Sequence, residues 1–490
     1  MKKSTPSHLQ EIIYSSSDPV ASRRISKWEK EGMVRKIAPR IYTSNLEDSP
    51  EDIIRRNIFP ILGNLYPDAV LSHRSAFEFA PTSTGQLFVT YKYTKKIKLP
   101  GITVHLMEGN PAREGDLPFS GKLMVSQRER AFLENLQVSR KTGPYSKTLT
   151  FPQIEEKLEK IIRVNGTQEL NKVRDRSRAI SKELGMETEF EKLNKIISAL
   201  LSTRPTKELQ STIAVARSTG NPYDPARIQL FELLFRELKQ NEFKHREEKN
   251  TTTTTYRNFA FYESYFSNYI EGTVFEIDEA KKVIATQQPI PSRNEDSHDI
   301  LGTYQLVSNI REMKITPYSP ENFMEILQYR HKILLSARKD KNPGQFKNKN
   351  NRAGDTEFVD MELVRGTLMQ SFDLYRALSH PFAKAAFIMF VVSEVHPFLD
   401  GNGRMARVMM NAELTAGNQT KIIIPTVYRE DYLGGLRKLT RANDQSVYIR
   451  MLERAQAFSY TLPASDMDSM EAQLKNCNAF VESSEGVLKF

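Results

Sequence analysis

Residues 382–416 read as two helical stretches with a break that neither can cross. Apolar residues fill Phe382–Val395, and a second helical pattern covers Met405–Ala416. Between them lie His396-Pro397-Phe398-Leu399-Asp400-Gly401-Asn402-Gly403. Pro397 ends the first helix, because the residue before a proline is pushed out of the helical region. Gly401 and Gly403 allow backbone angles that other residues avoid. The chain is therefore required to make helix, tight loop and helix here, with Phe398 expected in the core as the loop's pin.

The break also concentrates reactive groups. His396 accepts a proton near neutral pH with little tuning. Asp400 is a hard oxygen donor of the kind Mg²⁺ takes beside phosphates. The Gly-Asn-Gly turn lets amide N–H groups crowd an anion, and the positive end of the following helix faces the same place. Arg404 and Arg407 are three apart, roughly on one helical face, and each could clamp phosphate oxygens. A calcium loop is excluded. Counted from Asp400, the positions that need glycine and glutamate hold Met405 and Asn411.

The chain has 490 residues, enough for two to four domains. Its one cysteine, Cys477, rules out an internal disulfide framework and fits a reducing compartment, so a cytoplasmic protein is expected. No apolar stretch follows Lys2-Lys3, so no signal peptide is expected. The longest apolar run, Ala385–Val392, is far short of the roughly 18–20 residues of a membrane span. A net charge of +10 admits nucleic acid, ATP or an acidic partner.

Residues 1–60 read as a winged helix-turn-helix. A short helix is expected over Ser7–Ser16, with Leu9, Ile12 and Ile13 on one side. Asp18-Pro19 starts a second over Val20–Glu31, with Ile25 and Trp28 inward, and Gly32 stops it. Two short strands follow in Met33–Thr43. Positions 20 to 40 hold seven Lys/Arg against two Glu, and Arg23, Arg24 and Lys27 are the candidate contacts to double-stranded DNA. Residues 61–205 add strands at Leu87–Tyr93, Ile102–Met107 and Lys122–Val125. Helices are expected at Ile154–Val164, Glu169–Leu184 and Phe190–Leu201. Residues 206–255 read as linker plus one helix, Ile228–Lys239, with the threonines Thr251–Thr255 as a flexible loop. From Phe259 onward the pattern is mostly helical, with helices at Phe259–Ile270, Ile300–Glu312, Glu321–Ser336 and Met361–Leu378. Residues 456–490 read as a tail. The class is mainly α, preceded by an α+β region.

The twelve residues His396–Arg407 match the signature of the Fic family, His-x-Phe-x-Asp/Glu-Gly-Asn-Gly-Arg-x-x-Arg, at every specified position, and the resemblance extends over residues 256–455. It implies a helical domain that moves AMP from ATP to a protein Ser, Thr or Tyr hydroxyl. His396 would take the hydroxyl proton and Asp400 would hold Mg²⁺. Gly401, Asn402 and Gly403 would bind the α- and β-phosphates, Arg404 would assist on the triphosphate, and Arg407 would meet the γ-phosphate. Glycine rather than lysine at 403 follows the AMP-transferring branch over the phosphorylating one. Residues 1 to about 205 resemble winged-helix regulators related to abortive-infection antitoxins, through Arg23–Gly32 followed by Arg35, Pro39, Arg40, Ile41 and Tyr42. That likeness implies DNA or partner binding.

Ser267-Asn268-Tyr269-Ile270-Glu271-Gly272 fits the family's inhibitory pattern, placing an inhibitory helix at 256–272. There Glu271 would pair with Arg407 and block the γ-phosphate seat, with Ser267 one turn earlier. Residues 343–360 would be the target-positioning flap, a hairpin. Tyr428 and Tyr432 are candidate walls for adenine. The expected protein is a self-inhibited adenylylyltransferase using ATP and Mg²⁺, acting on a protein substrate, with itself one candidate, with a homo-oligomer possible and no membrane partner. Two alternatives stay open: a hydrolase that removes AMP using Glu271, and a nucleotide-sensing DNA-binding regulator.

Overall fold

The computed structural model describes residues 10–15, 18–201, 208–354 and 356–490. The chain is mainly helical and divides into two compact units, Met1–Thr219 and Gly220–Phe490.

The first unit opens with β1 (Ile13–Tyr14), α1 (Pro19–Lys30), β2 (Arg35–Ala38) and β3 (Ile41–Thr43). The helix expected over Ser7–Ser16 is not formed where it is described. Ile13 and Tyr14 pair with Tyr42 and Ile41 as a strand, giving the sheet order β1-β3-β2. The β-branched Ile13 suits that pairing, and it joins Ile25 and Val34 in a small core closed by Trp28 and Tyr42. Leu9 lies outside the described residues. The Asp18 side chain caps α1 by accepting from Ala21 N–H at 2.8 Å.

Next come α2 (Pro50–Leu65), β4 (Val70–Leu71), α3 (Ser75–Glu78), β5 (Gln86–Tyr91), β6 (Lys95–Leu99), β7 (Ile102–Glu108), β8 (Leu117–Ser120) and β9 (Leu123–Val125). They form one mixed six-stranded sheet, order β6-β7-β5-β4-β9-β8. Helices α4 (Arg128–Asn135), α5 (Phe151–Asn165), α6 (Thr167–Leu184) and α7 (Glu187–Leu201) close a second core around Leu158, Leu170 and Leu193. The supposed linker contains a helix, α8 (Thr212–Ser218). Buried Glu155 accepts from Ser211 N–H at 2.6 Å, and Arg217 bonds Glu159 at 2.9 Å. Those two carboxylates order a segment whose composition reads as loop.

The second unit contains α9 (Pro225–Gln240), α10 (Thr253–Ile270), α11 (Ile277–Thr286), α12 (Asn294–Val307), α13 (Ile310–Met313) and α14 (Pro320–Leu334). The short hairpin β10 (Arg352–Ala353) and β11 (Thr356–Glu357) follows, then α15 (Val364–Arg376), α16 (Pro381–Val395), α17 (Asn402–Ala416), α18 (Arg429–Ala442), α19 (Gln445–Tyr460) and α20 (Met467–Asn476). The threonine run is not a loop. Thr252 caps α10 in a capping box with Thr255, and Thr253–Thr255 form its first turn. One expected helix, Ile300–Glu312, is two: Asn309 accepts from Arg311 and Glu312 N–H and starts α13 afresh. The expected tail is packed. Phe480 contacts Phe266 with ring centroids 5.0 Å apart and Tyr265 at 5.8 Å, both on α10. α16, α17 and α10 share one core, in which Phe387, Phe390, Phe398, Met405 and Phe259 are fully enclosed. Burying α16 on all sides fixes its last residue, and with it the loop to α17.

Candidate active site

His396 ends α16. Its backbone takes the left-handed conformation, φ 50°, and its N–H closes the helix on Val392 O. The imidazole Nδ1 lies 3.1 Å from Ser393 O. A carbonyl only accepts, so Nδ1 carries the proton and Nε2 keeps a lone pair. The ring stacks on Phe358 from the flap, centroids 3.6 Å apart and planes 6° off parallel. Burial lowers its pKa to about 4, so the neutral, basic form holds at physiological pH.

Pro397 and Phe398 turn the chain. Asn402 reaches back, its amide oxygen accepting from Phe398 N–H and its amide nitrogen donating to Phe398 O, each at 2.9 Å. Its side chain is thus spent on holding the loop. Gly401 sits at φ 72° and starts α17, which a β-carbon would resist. The first amides of α17 lack partners within the helix and aim its positive end at the cleft. Gly403 is small for a second reason. A Cβ there would come within 2.3 Å of Glu271 Oε1. The Glu271 carboxylate therefore rests against the start of α17, where an anion is favoured.

Arg407, one turn into α17, makes four hydrogen bonds. Nη2 donates to Glu271 at 2.7 Å and to Ser267 O at 2.8 Å, Nε donates to Ser267 Oγ at 3.0 Å, and Nη1 donates to Tyr432 OH at 3.3 Å. Burial is the largest single effect and works against the charge, but Glu271 and Tyr432 together outweigh it and hold the guanidinium pKa above its ordinary value. Ser267 and Glu271 reach Arg407 together because they are one turn apart at the end of α10.

These groups line one cleft of about 360 Å³, walled by Phe358, Leu433, Leu436 and Thr440 besides His396, Asp400, Gly401, Asn402, Gly403, Arg407, Tyr432 and Glu271. Two expected residues are not part of it. Arg404 is 3% exposed and turned inward, 2.8 Å from Asp299 and 3.3 Å from Asn268. Asp299 is also gripped by Arg338 at 2.6 and 3.0 Å. Arg404 thus fastens α17 to α12 and is not among the residues that line the cleft. Tyr428 is buried elsewhere and donates to Met451 O at 3.3 Å. Among the described residues no group of three His, Cys, Asp or Glu could hold a metal alone. Asp400 fits the other mode, one carboxylate sharing Mg²⁺ with substrate phosphates.

Sequence reasoning missed residues that arrive from far away. His331 on α14 bonds Asp400 O at 3.1 Å, Lys347 N–H donates to Pro397 O at 2.8 Å, and Asn351 donates to Phe398 O at 2.9 Å. Buried Glu394 bonds Thr440 in the cleft wall. A lone histidine in a helical pattern carries no signal that would have found it.

Residues 323–414, which include the whole of this loop, match the Fic/DOC family. A protein adenylyltransferase Fic of Drosophila willistoni is 27% identical over 208 residues, 39% of this chain and 39% of that protein. One of Drosophila melanogaster is 26% identical over 208 residues, with 39% of each covered. The chain thus spans about two fifths of the length of the curated relatives it matches. Among solved structures, Fic-1 of C. elegans is similar at TM-score 0.36 and 15% identity, over 67% of this chain and 90% of that one. A Fic-domain signaling protein of Bacteroides thetaiotaomicron is similar at TM-score 0.39 and 18% identity, over 50% and 97%. The Glu271–Arg407 contact joins residues 136 positions apart, with Arg407 inside the matched stretch and Glu271 outside it. No helix among the described residues is long and apolar enough to cross a membrane.

Proposed function

We propose that this protein transfers AMP from Mg-ATP to a hydroxyl of a protein, and that Glu271 holds the activity down. The carrying observation is one cleft that joins a lone pair on His396 Nε2, an anion seat at the start of α17 and Arg407. The name of the curated relatives, protein adenylyltransferase, supports the same chemistry. His396 takes the proton of the incoming hydroxyl. That oxygen attacks the α-phosphorus, the bond to the β-phosphate oxygen breaks, and pyrophosphate leaves. Charge gathers on phosphate oxygens during this step, and the fixed N–H groups of α17 stabilise it. Asp400 would hold Mg²⁺, which would supply positive charge to the same oxygens. Arg407 would bind the terminal phosphate, but Glu271 occupies it in the resting protein. Glu271→Gly should raise incorporation of label from α-labelled ATP, and His396→Ala in that background should abolish it. Absence of any labelled product from Glu271→Gly overturns the reading.

A second reading rests on the same carboxylate. Glu271 faces the cleft that holds His396, with its side chain one-third exposed. It could orient water and remove AMP from a modified protein. Release of AMP by the parent, lost in Glu271→Gly, would favour that direction.

For the first unit we infer binding to double-stranded DNA. Arg23, Arg24 and Lys27 are exposed on α1, beside the hairpin that carries Arg35, Lys36 and Arg40. Binding should weaken steeply with salt and be lost when the three α1 cations are reversed to glutamate. Retained binding in that triple variant sinks this inference.

A further inference from the structure

His331 ties the root of the flap to the catalytic loop. It is fully buried on α14. Gly344 N–H, at the start of the flap, donates to Nδ1 at 2.9 Å. Nδ1 must then be the acceptor, so Nε2 carries the hydrogen and donates to Asp400 O at 3.1 Å. The ring lies flat on Phe398, centroids 3.7 Å apart and planes 4° off parallel. Gln328, one turn earlier on α14, donates to Gly344 O at 3.0 Å. Gly344 is thus gripped on both of its polar groups by one helix. Asp400 is held through its own carbonyl by the same ring.

We propose that His331 is a positioning residue, which sets the Asp400–Gly401 peptide and the flap root in one register through a single imidazole tautomer. This rests on the proposed AMP transfer only for its catalytic consequence. A change at His331 would act at a distance on two things. The Asp400 carboxylate would lose its fixed aim toward the phosphates. The flap, which carries Phe358 onto His396, would lose the anchor of its first residue. Packing alone makes a different forecast, because phenylalanine keeps the ring, the volume and the stack but neither hydrogen bond.

The test uses the full chain with His331→Phe and His331→Gln, each with and without Glu271→Gly. In His331→Phe, amides at Gly344–Lys347 should exchange with deuterium about tenfold faster, the scale of one lost hydrogen bond. The KM for protein substrate and the Mg²⁺ concentration for half-maximal rate should each rise about tenfold, with the KM for ATP changing least. His331→Gln, which offers both an acceptor and a donor, should restore most of the exchange protection. Parent-like exchange and kinetics in His331→Phe would overturn the proposal. Selective ¹⁵N-histidine NMR on the unmutated protein keeps the proposal testable even if the variants fail to fold. A proton on Nδ1 rather than Nε2 of His331 overturns it. Lack of AMP transfer by Glu271→Gly alone would count against the functional reading and leave the exchange and tautomer results to decide this one.

Discussion

Arg407 shows how much one side chain carries here. It is buried, and its charge is answered by Glu271, with Ser267 and Tyr432 taking three more of its hydrogens. Removing one partner of a buried pair leaves the other charge stranded. Glu271 is one-third exposed, so the loss is moderated by solvent. Glu271→Gly should therefore lower unfolding free energy by about 1–3 kcal/mol in urea titrations, even as it frees the anion seat. Saturating Mg-ATP should raise the melting temperature of that variant more than that of the parent, because a ligand stabilises the form it binds. Equal shifts would mean that Glu271 does not compete with the nucleotide. At this scale the sequence was informative for some residues and silent for others. His396, Asp400 and Gly401 carry their chemistry in their type and spacing. Arg404 and Arg407 look alike on a helix face, yet Asp299 takes one and the cleft takes the other. Tyr428 and Tyr432 are equally alike, and only Tyr432 lines the cleft.

The element that brings Ser267 and Glu271 to the cleft is α10, and its start is hard to read from sequence. Five threonines in a row look like low complexity. The capping signal is usually Ser or Thr followed three residues later by Glu or Gln. Here the third residue is Thr255, which performs the reciprocal bond to Thr252 N–H with a hydroxyl at 3.2 Å. Thr252→Ala should cost about 1 kcal/mol, seen as a fall of about 2–4 °C in melting temperature. No change in melting temperature would show that packing alone starts the helix. Long periodic helices such as α14 and α16 were legible because a buried face repeats along them. α8, α13 and the packed tail were not. Their order depends on Glu155, on Asn309 and on the aromatic face of α10, and none of these is a local periodicity.

Across the second unit, three buried ionisable groups set opposing pH trends. His331 and His396 have folded pKa values near 4, held down by burial, against an ordinary value of 6.5. The folded state binds fewer protons than the unfolded one between these limits. Their contribution is whole above pH 6.5 and is lost as pH falls toward 4. For His331 the shift corresponds to about 3 kcal/mol, and for the partly exposed His396 to less. Glu413 goes the other way. Burial raises its pKa from 4.5 to about 7, with Tyr375 donating to it at 2.7 Å. Its favourable share is whole below pH 4.5 and is lost as pH rises through 7. Urea titrations of the full chain should show a net fall in stability from pH 6.5 to 4. Glu413→Gln should be more stable than the parent at pH 8 and no better at pH 4. An unchanged difference between the two at both pH values would show that Glu413 does not titrate in that range. The twelve residues His396–Arg407 determined their own backbone by themselves, because a helix stop, a left-handed turn and a helix start are satisfied by neighbours in the chain. Most of the groups that reach that loop were decided by tertiary packing. His331 and Phe358 arrive on other elements, and their positions follow from buried surfaces that no local pattern encodes, whereas the approach of Glu271 was signalled by the six residues Ser267–Gly272.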